Sequence, residues 1–310
     1  MIAAVDCQDL RNIADFLGFA PQHIFFLVKK SDDLYTEIAI PRRSDATRHR
    51  MIHIPYSELK GVQRAILDKI LTSIPVNEHA YAYVRRRSVV DAAFKLCGKK
   101  SMLKIDIQDF FPTISYRRVY GLFRRMGFSD KVAFILARLS MRRNAICQGA
   151  PTSPCISNLI LRRLDHQFAC ASRSWDLSYL RYSDDLFFYR ATNFNHLEFR
   201  RLAGSIILEN GFRGNERKTH YFPSGSPRKT LGLLTHGSRP QIPGPRRRII
   251  RAVFFNASRN IHWAQDNMNY LRGILEWHKC VYGKDEKYRQ FKSIFDSLKS
   301  IRVHETDQSA

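Results

Sequence analysis

The stretch YLRYSDDLFFYR, residues 179–190, constrains the fold more than any other part of the chain. Residues 177–190 predict a β-hairpin rich in aromatic residues and leucine, with the adjacent acids Asp184 and Asp185 in its middle. A tight hairpin turn favours Asn-Gly or Asp-Gly, because its residues need positive φ. No glycine follows the acids here. The flanking Tyr182, Leu186, Phe187 and Phe188 call for burial, so two like charges sit at the tip of a half-buried hairpin. That arrangement asks for a compensating cation. The plainer alternative is an ordinary turn, in which Asp is common.

A third acid bears on the choice. In SMLKIDIQDFF, Leu103, Ile105 and Ile107 alternate with Lys104 and Asp106, which predicts a strand with one aliphatic face and one polar face. Should the strand at 102–108 pair beside the hairpin, Asp106 reaches the same point as Asp184. Three oxygen-only ligands suit Mg²⁺ or Mn²⁺, and no soft ligand competes. Two such ions, about 3.5–4 Å apart, can clamp the attacking and leaving oxygens of an in-line phosphoryl transfer.

Charge supplies the partner. Lys and Arg number 51 against 28 Asp and Glu, a formal +23 in 310 residues. Such an excess points to a polyanion, either nucleic acid or an anionic membrane surface. No apolar run reaches the roughly 18 residues of a spanning helix. The acidic N-terminus, MIAAVDCQDLRNIADF, carries no signal-peptide pattern. Nucleic acid is therefore the expected partner, with no membrane role. The six cysteines (Cys7, Cys97, Cys147, Cys155, Cys170, Cys280) form no C-x-x-C pair, so zinc is not expected. They read as reduced thiols of a cytoplasmic protein.

Around these motifs the periodicity predicts helices over 1–30, a pair of strands at YTEIAIPRR and RHRMIHIPY, and a helix capped by Ser57. Helices follow in SYRRVYGLFRRMG and KVAFILARLSM, after the Gly/Pro turn of CQGAPTSPC, and in EFRRLAGSIILENGF. THYFPSGSPRKTLGLLTH predicts strand-turn-strand, and the chain from Pro245 to about Ile301 reads as basic and helical. The whole is an α+β core with helical additions at both ends.

These motifs, in this order, resemble those of bacterial reverse transcriptases, most closely the retron-type branch. IDIQDFFPTIS is similar to the first palm motif, QGAPTSPCISN to the second, YSDD to the third, NERKT to the fourth and TLGLL to the fifth. The resemblance implies a right-hand polymerase fold: N-terminal helices and fingers over 1–100, palm over 101–111 and 148–232 as an antiparallel sheet plus helices, a helical insertion over 112–147, and a helical thumb over 233–310. It implies Asp106, Asp184 and Asp185 as the metal-binding triad, with the carbonyl of Ile107 as a further ligand and two Mg²⁺ ions, Mn²⁺ being the alternative. Phe111 stands where the family has its steric gate against a 2′-hydroxyl, with plain core packing as the alternative. Gln148 would touch the incoming nucleotide, while Gly149 and Ala150 would let the backbone approach the base pair. Lys218 would protonate the leaving pyrophosphate. Arg50, then Arg48, would hold the triphosphate. Arg85, Arg86 and Arg87, and Arg246, Arg247 and Arg248, would contact template or primer, unless those runs are merely solvated faces.

The implied activity is RNA-directed DNA synthesis from deoxynucleotides on a structured non-coding RNA, in a retron or related phage-defence system, with an effector protein as a further partner. Two retron elements are unmatched: DAAFKL stands in place of NAxxH, and TLG at Thr230–Gly232 in place of VTG. The competing readings are untemplated or protein-primed DNA synthesis, RNA synthesis on RNA, and a non-catalytic RNA-binding scaffold.

Overall fold

The computed structural model describes residues 8–42 and 45–307, and the side chains of residues 42, 45, 46, 48 and 301–307 are outside that description. The chain opens with α1 (Leu10–Leu17) and α2 (Pro21–Lys30). The antiparallel ribbon of β1 (Tyr35–Arg42) and β2 (Asp45–Pro55) follows. Next come α3 (Ser57–Lys69), α4 (Val89–Leu96), β3 (Ser101–Asp106) and the single turn α5 (Phe110–Thr113). Four helices lead to the hairpin: α6 (Tyr116–Arg125), α7 (Asp130–Leu139), α8 (Ser153–Ile160) and α9 (Arg162–Ser174). Then come β4 (Ser178–Tyr182), β5 (Asp185–Arg190), α10 (His196–Glu209) and β6 (His220–Phe222). The short pair β7 (Lys229–Thr230) and β8 (Leu233–Leu234) turns on Leu231 and Gly232, both at positive φ. Four helices end the chain: α11 (Gly244–Arg259), α12 (Ile261–Asp266), α13 (Met268–Tyr282) and α14 (Glu286–Asp307).

Two compact units result. The first comprises residues 1–87, 102–190 and 194–221. Its centre is a four-stranded sheet in the order β4-β5-β3-β6. Strand alternation gives that sheet two unlike faces. On one, Phe188 packs edge-on against Phe168 of α9 and Phe199 of α10, at 5.0 and 4.8 Å between ring centres. Ile105 lies on this face too, since Ile105 and Ile207 of α10 both border Gly214. Lys104, Asp106, Asp185 and Phe187 share the opposite face. The helices therefore bury one side of the sheet and leave the polar side for the acids.

The second unit comprises residues 88–101, 191–193 and 222–310. Its core joins Val90 and Ala93 of α4 to Leu233, Ile242, Ile250 and Phe254, and to Leu271, Leu275 and Phe291 of the later helices. The boundary differs from the grouping of 1–100 read from the sequence. The reason is the apolar stripe of α4, which completes the C-terminal core. Ser88 starts that helix with a reciprocal capping box to Asp91. By contrast Ser57 caps nothing, because the chain enters α3 at Ser57 itself and Tyr56 is its N-cap. No helix among the described residues is long and apolar enough to cross a membrane.

Candidate active site

The acids converge because the hairpin forms as its pattern predicts. Tyr182 pairs with Asp185, leaving Ser183 and Asp184 as a two-residue loop. Ser183 takes φ 59°, the left-handed value that a glycine would adopt without strain. Its hydroxyl lies 3.1 Å from the hydroxyl of Tyr83, itself at φ 62°. The backbone N–H of Ile107 donates to the Asp184 carbonyl at 2.9 Å, which ties the hairpin tip to the end of β3 and brings Asp184 beside Asp106.

Each carboxylate has its own surroundings. Asp106 is 4% exposed and accepts from Lys218 Nζ at 3.0 and 3.2 Å. Asp184 is pushed above the ordinary carboxylate range by burial and by the charge of Asp106, with Lys218 pulling the other way. Burial also raises Asp185, to about 6, although Lys104 Nζ stands 2.8 Å from its Oδ1 and opposes the shift. The triad expected from the sequence is thus a facing pair, Asp106 and Asp184, with Asp185 alongside in a lysine ion pair. Among the described residues no three acid, His or Cys side chains are arranged to hold one metal together. The donor chemistry still fits a hard divalent cation: the buried Asp106 carboxylate and the half-buried Asp184 carboxylate are close enough to feel each other's charge, and the Lys218 ammonium now fills a cation's role.

This electrostatics gives a measurable prediction. Asp184 and Asp185 bind protons more tightly folded than unfolded, so their ionisation destabilises the fold. For Asp185 that stability is lost as pH rises from the ordinary value of 3.8 towards about 6, and Asp184 shifts in the same direction. Mg²⁺ should relieve this repulsion. Its stabilisation of the protein, read as a Tm shift, should be larger near pH ~7.5 than near pH ~5, where protons compete for the same oxygens. Equal shifts at both pH values would contradict the assignment.

The remaining predicted residues divide. Phe111 is 9% exposed and stacks on Phe110 with ring centres 5.3 Å apart, so core packing accounts for most of its surface. Gln148 is half-buried, and its carbonyl accepts from the His53 N–H of β2 at 2.7 Å. Gly149 is already required to be bare by its own fold. A Cβ there would lie 2.4 Å from the His53 carbonyl oxygen, and φ is +114°. Its bareness serves the close approach of β2. Gly149→Ala should therefore cost several kcal/mol, since ~1–3 kcal/mol of backbone strain adds to a clash with main chain. A chemical denaturation curve checks this, and an unchanged midpoint would refute it. Arg50 is exposed on β2, two residues from Ile52, whose side chain borders Gly149, so Arg50 shares the strand face turned to the Gln148–Gly149 turn. Arg48 lies in β2, but its side chain is outside the described residues.

The arginine runs are not uniform either. Arg87 donates from Nη1 to the carbonyls of Asn77, Glu78 and Ala80 at 3.2, 2.9 and 2.5 Å, so that nitrogen closes its own loop. Arg85 and Arg86 are exposed, as are Arg246, Arg247 and Arg248 on the first turns of α11.

Residues 28–271 match the reverse transcriptase (RNA-dependent DNA polymerase) family. The chain belongs to that family. Its sequence is 31% identical over 266 residues to the retron Mx65 reverse transcriptase of Myxococcus xanthus, covering 80% of this chain and 61% of that protein. It is 27% identical over 271 residues to the retron Ec86 reverse transcriptase of Escherichia coli, covering 86% and 85%. The chain thus spans about three-fifths of the Mx65 enzyme and most of the Ec86 enzyme. Among solved structures, a telomerase of Candida albicans in complex with a fragment of telomeric RNA aligns at TM-score 0.49 and 12% identity, over 89% of this chain and 59% of its own. The family's right-hand polymerase fold, in its retron-type branch, accounts for the mixed sheet and helices described above.

One support of this reverse transcriptase's acidic tip escaped the sequence reading. Arg181 and Asp165 are both fully buried and form a two-pronged ion pair, Nε to Oδ1 and Nη2 to Oδ2, each at 2.7 Å. Burial works against the Arg181 charge, and Asp165 more than restores it. Tyr179 donates to Asp165 at 2.8 Å. Arg181 Nη1 donates to Asn158 at 2.9 Å and to the Ser183 carbonyl at 3.2 Å, so the network grips the turn that presents Asp184. Asn158 also donates to the Ala82 carbonyl at 2.9 Å. The available signal was an arginine inside an otherwise aromatic strand, on the same face as Tyr179.

Proposed function

We propose that this chain is an RNA-directed DNA polymerase that extends a primer on a structured non-coding RNA, within a retron or related defence system. The observation that carries the reading is the pairing of Asp106, buried at the end of β3, with the half-buried Asp184 of the hairpin tip, and Lys218 against Asp106. In this reading the first unit supplies fingers and palm, and the second the thumb. Asp106, Asp184 and the Ile107 carbonyl would hold Mg²⁺ or Mn²⁺, with Asp185 joining if Lys104 yields. When bound, the ions would supply activation of a 3′-hydroxyl and neutralisation of charge on the transferring phosphoryl group. Lys218, with 55% of its side chain exposed, is free to leave Asp106 and to donate a proton to departing pyrophosphate. Arg50 suits the triphosphate because a guanidinium fork matches phosphate oxygens. The five described cysteines are free thiols, and burial pushes Cys97, Cys147 and Cys155 up to about 11, as suits unreactive core thiols of a cytoplasmic protein.

The test is primer extension by the purified chain on defined RNA templates, with the products sequenced. Product sequence should follow the template; products indifferent to it would favour untemplated synthesis instead. Phe111 gives a finer check. Its ring would bar a 2′-hydroxyl, so Phe111→Val should raise ribonucleotide incorporation by about 10–200-fold, the range open to one steric contact. An unchanged ratio of deoxy- to ribonucleotide use in a folded variant would leave Phe111 a core residue only.

A further inference from the structure

A second basic site lies on the helical side of the first unit. A cavity of about 990 Å³ is bounded by the end of α3, by α6, by the junction of α8 and α9, and by the end of α10. This is the layer packed on the Phe188 and Ile105 face of the sheet, whereas Asp106 and Asp185 occupy the other face. The groove is therefore separate from the catalytic acids.

Its lining is strongly one-signed. Six cations border it against a single carboxylate, Glu209. Two of the six are already used. Lys69 donates to the Phe16 and Leu17 carbonyls at 2.9 and 3.2 Å, and Arg118 to the Asn210 and Gly211 carbonyls at 2.7 and 2.9 Å. The other four, Arg117, Arg125, Arg162 and Arg163, are exposed. None of them has an ion-pair or hydrogen-bond partner among the described residues. Four unneutralised guanidinium groups around one cavity create a local positive potential that attracts an anion. Apolar groups lie between the arginines: Ile74 and Met126 are half-buried, and the Arg118 guanidinium lies 4.2 Å above the ring of the buried Phe212. Arginines that take phosphates, beside apolar side chains and a guanidinium plane that can meet an unstacked base, are the chemistry of single-stranded nucleic acid recognition.

We propose that this groove holds an unpaired segment of the RNA that the enzyme copies, anchoring it on the face opposite the catalytic acids. This rests on the polymerase reading above. RNA is favoured over the DNA product because the template must be retained from before the first nucleotide is added. An acidic protein segment would match the charge, but it would make no use of the apolar groups set between the arginines.

The test uses the full chain and a variant with Arg117, Arg125, Arg162 and Arg163 all changed to Gln. The probes are an RNA hairpin with an unpaired RNA tail, the same hairpin without the tail, and the hairpin with a DNA tail. The parent should bind the RNA-tailed hairpin about tenfold or more tightly than the tailless one, and the variant should lose that gain. The slope of log affinity against log salt should fall by about 2–3 for the tailed probe, given ~0.7 per phosphate contact on a single strand. Thiouridine in the tail should crosslink to peptides containing residues 117–125 or 159–163. Extension of a primer on a short tailless RNA, and the Tm, should stay unchanged. A variant that keeps the tail's gain, or a DNA tail that binds equally well, overturns the proposal. Failure of primer extension in the parent would instead count against the polymerase reading, and the tail comparison would still judge the groove.

Discussion

Changing Asp184 to Asn should abolish DNA synthesis, by about a thousandfold or more, and leave the protein as stable as before or more so. The loss follows from removing one of two facing carboxylates that would hold the metal, whose electrostatic contribution to phosphoryl transfer is the dominant one. The stability argument is independent of the reaction. Burial and the charge of Asp106 push Asp184 above its ordinary range, so its ionised form is under strain at neutral pH. Asn keeps the shape and removes the charge, and its amide can donate to the Asp106 carboxylate. The main-chain bond from Ile107 to the residue 184 carbonyl is untouched. Activity and a thermal melt on the same preparation decide the matter. An active variant would remove the polymerase reading and favour the scaffold. An inactive variant with a lowered Tm would make Asp184 a structural residue.

Much of this site was legible because its determinants are local. The 178–190 hairpin follows from strand residues on both sides of a two-residue loop. The faces of β3 follow from strict alternation, so the placing of Asp106 opposite Ile105 needed only period two. What remained hidden depends on pairings between distant segments. Lys104 was legible as a residue of the polar face beside Asp106, but not as the partner of Asp185. Arg87 looked like a nucleic-acid contact, yet three carbonyls of its own loop occupy its Nη1. Gly149 read as a place of backbone approach, and the main chain of β2 stands where its side chain would be. The grouping of α4 with the C-terminal helices depends on a core assembled from residues more than a hundred positions apart. No pattern within one segment carries information about which distant segment will cover it.

Arg181 shows the same limit and supplies the second large effect. Changing it to Met should destabilise the chain by about 3–5 kcal/mol, because Asp165 would be left charged, buried and unpaired. Activity in the surviving folded protein should fall as well, since the Ser183 carbonyl loses its donor and the strained turn loses its grip. The two effects can be separated. A buried ion pair can often be exchanged for apolar residues of similar volume with little net cost. Combining Arg181→Met with Asp165→Leu, and with Tyr179→Phe to remove the hydroxyl that would lose its acceptor, should therefore recover most of the stability. It should not recover DNA synthesis, because nothing in the apolar replacement can donate to the turn. Recovery of activity along with stability would reduce Arg181 to a packing element. Stability regained without activity would assign it the positioning of the hairpin tip, and hence of Asp184 against Asp106.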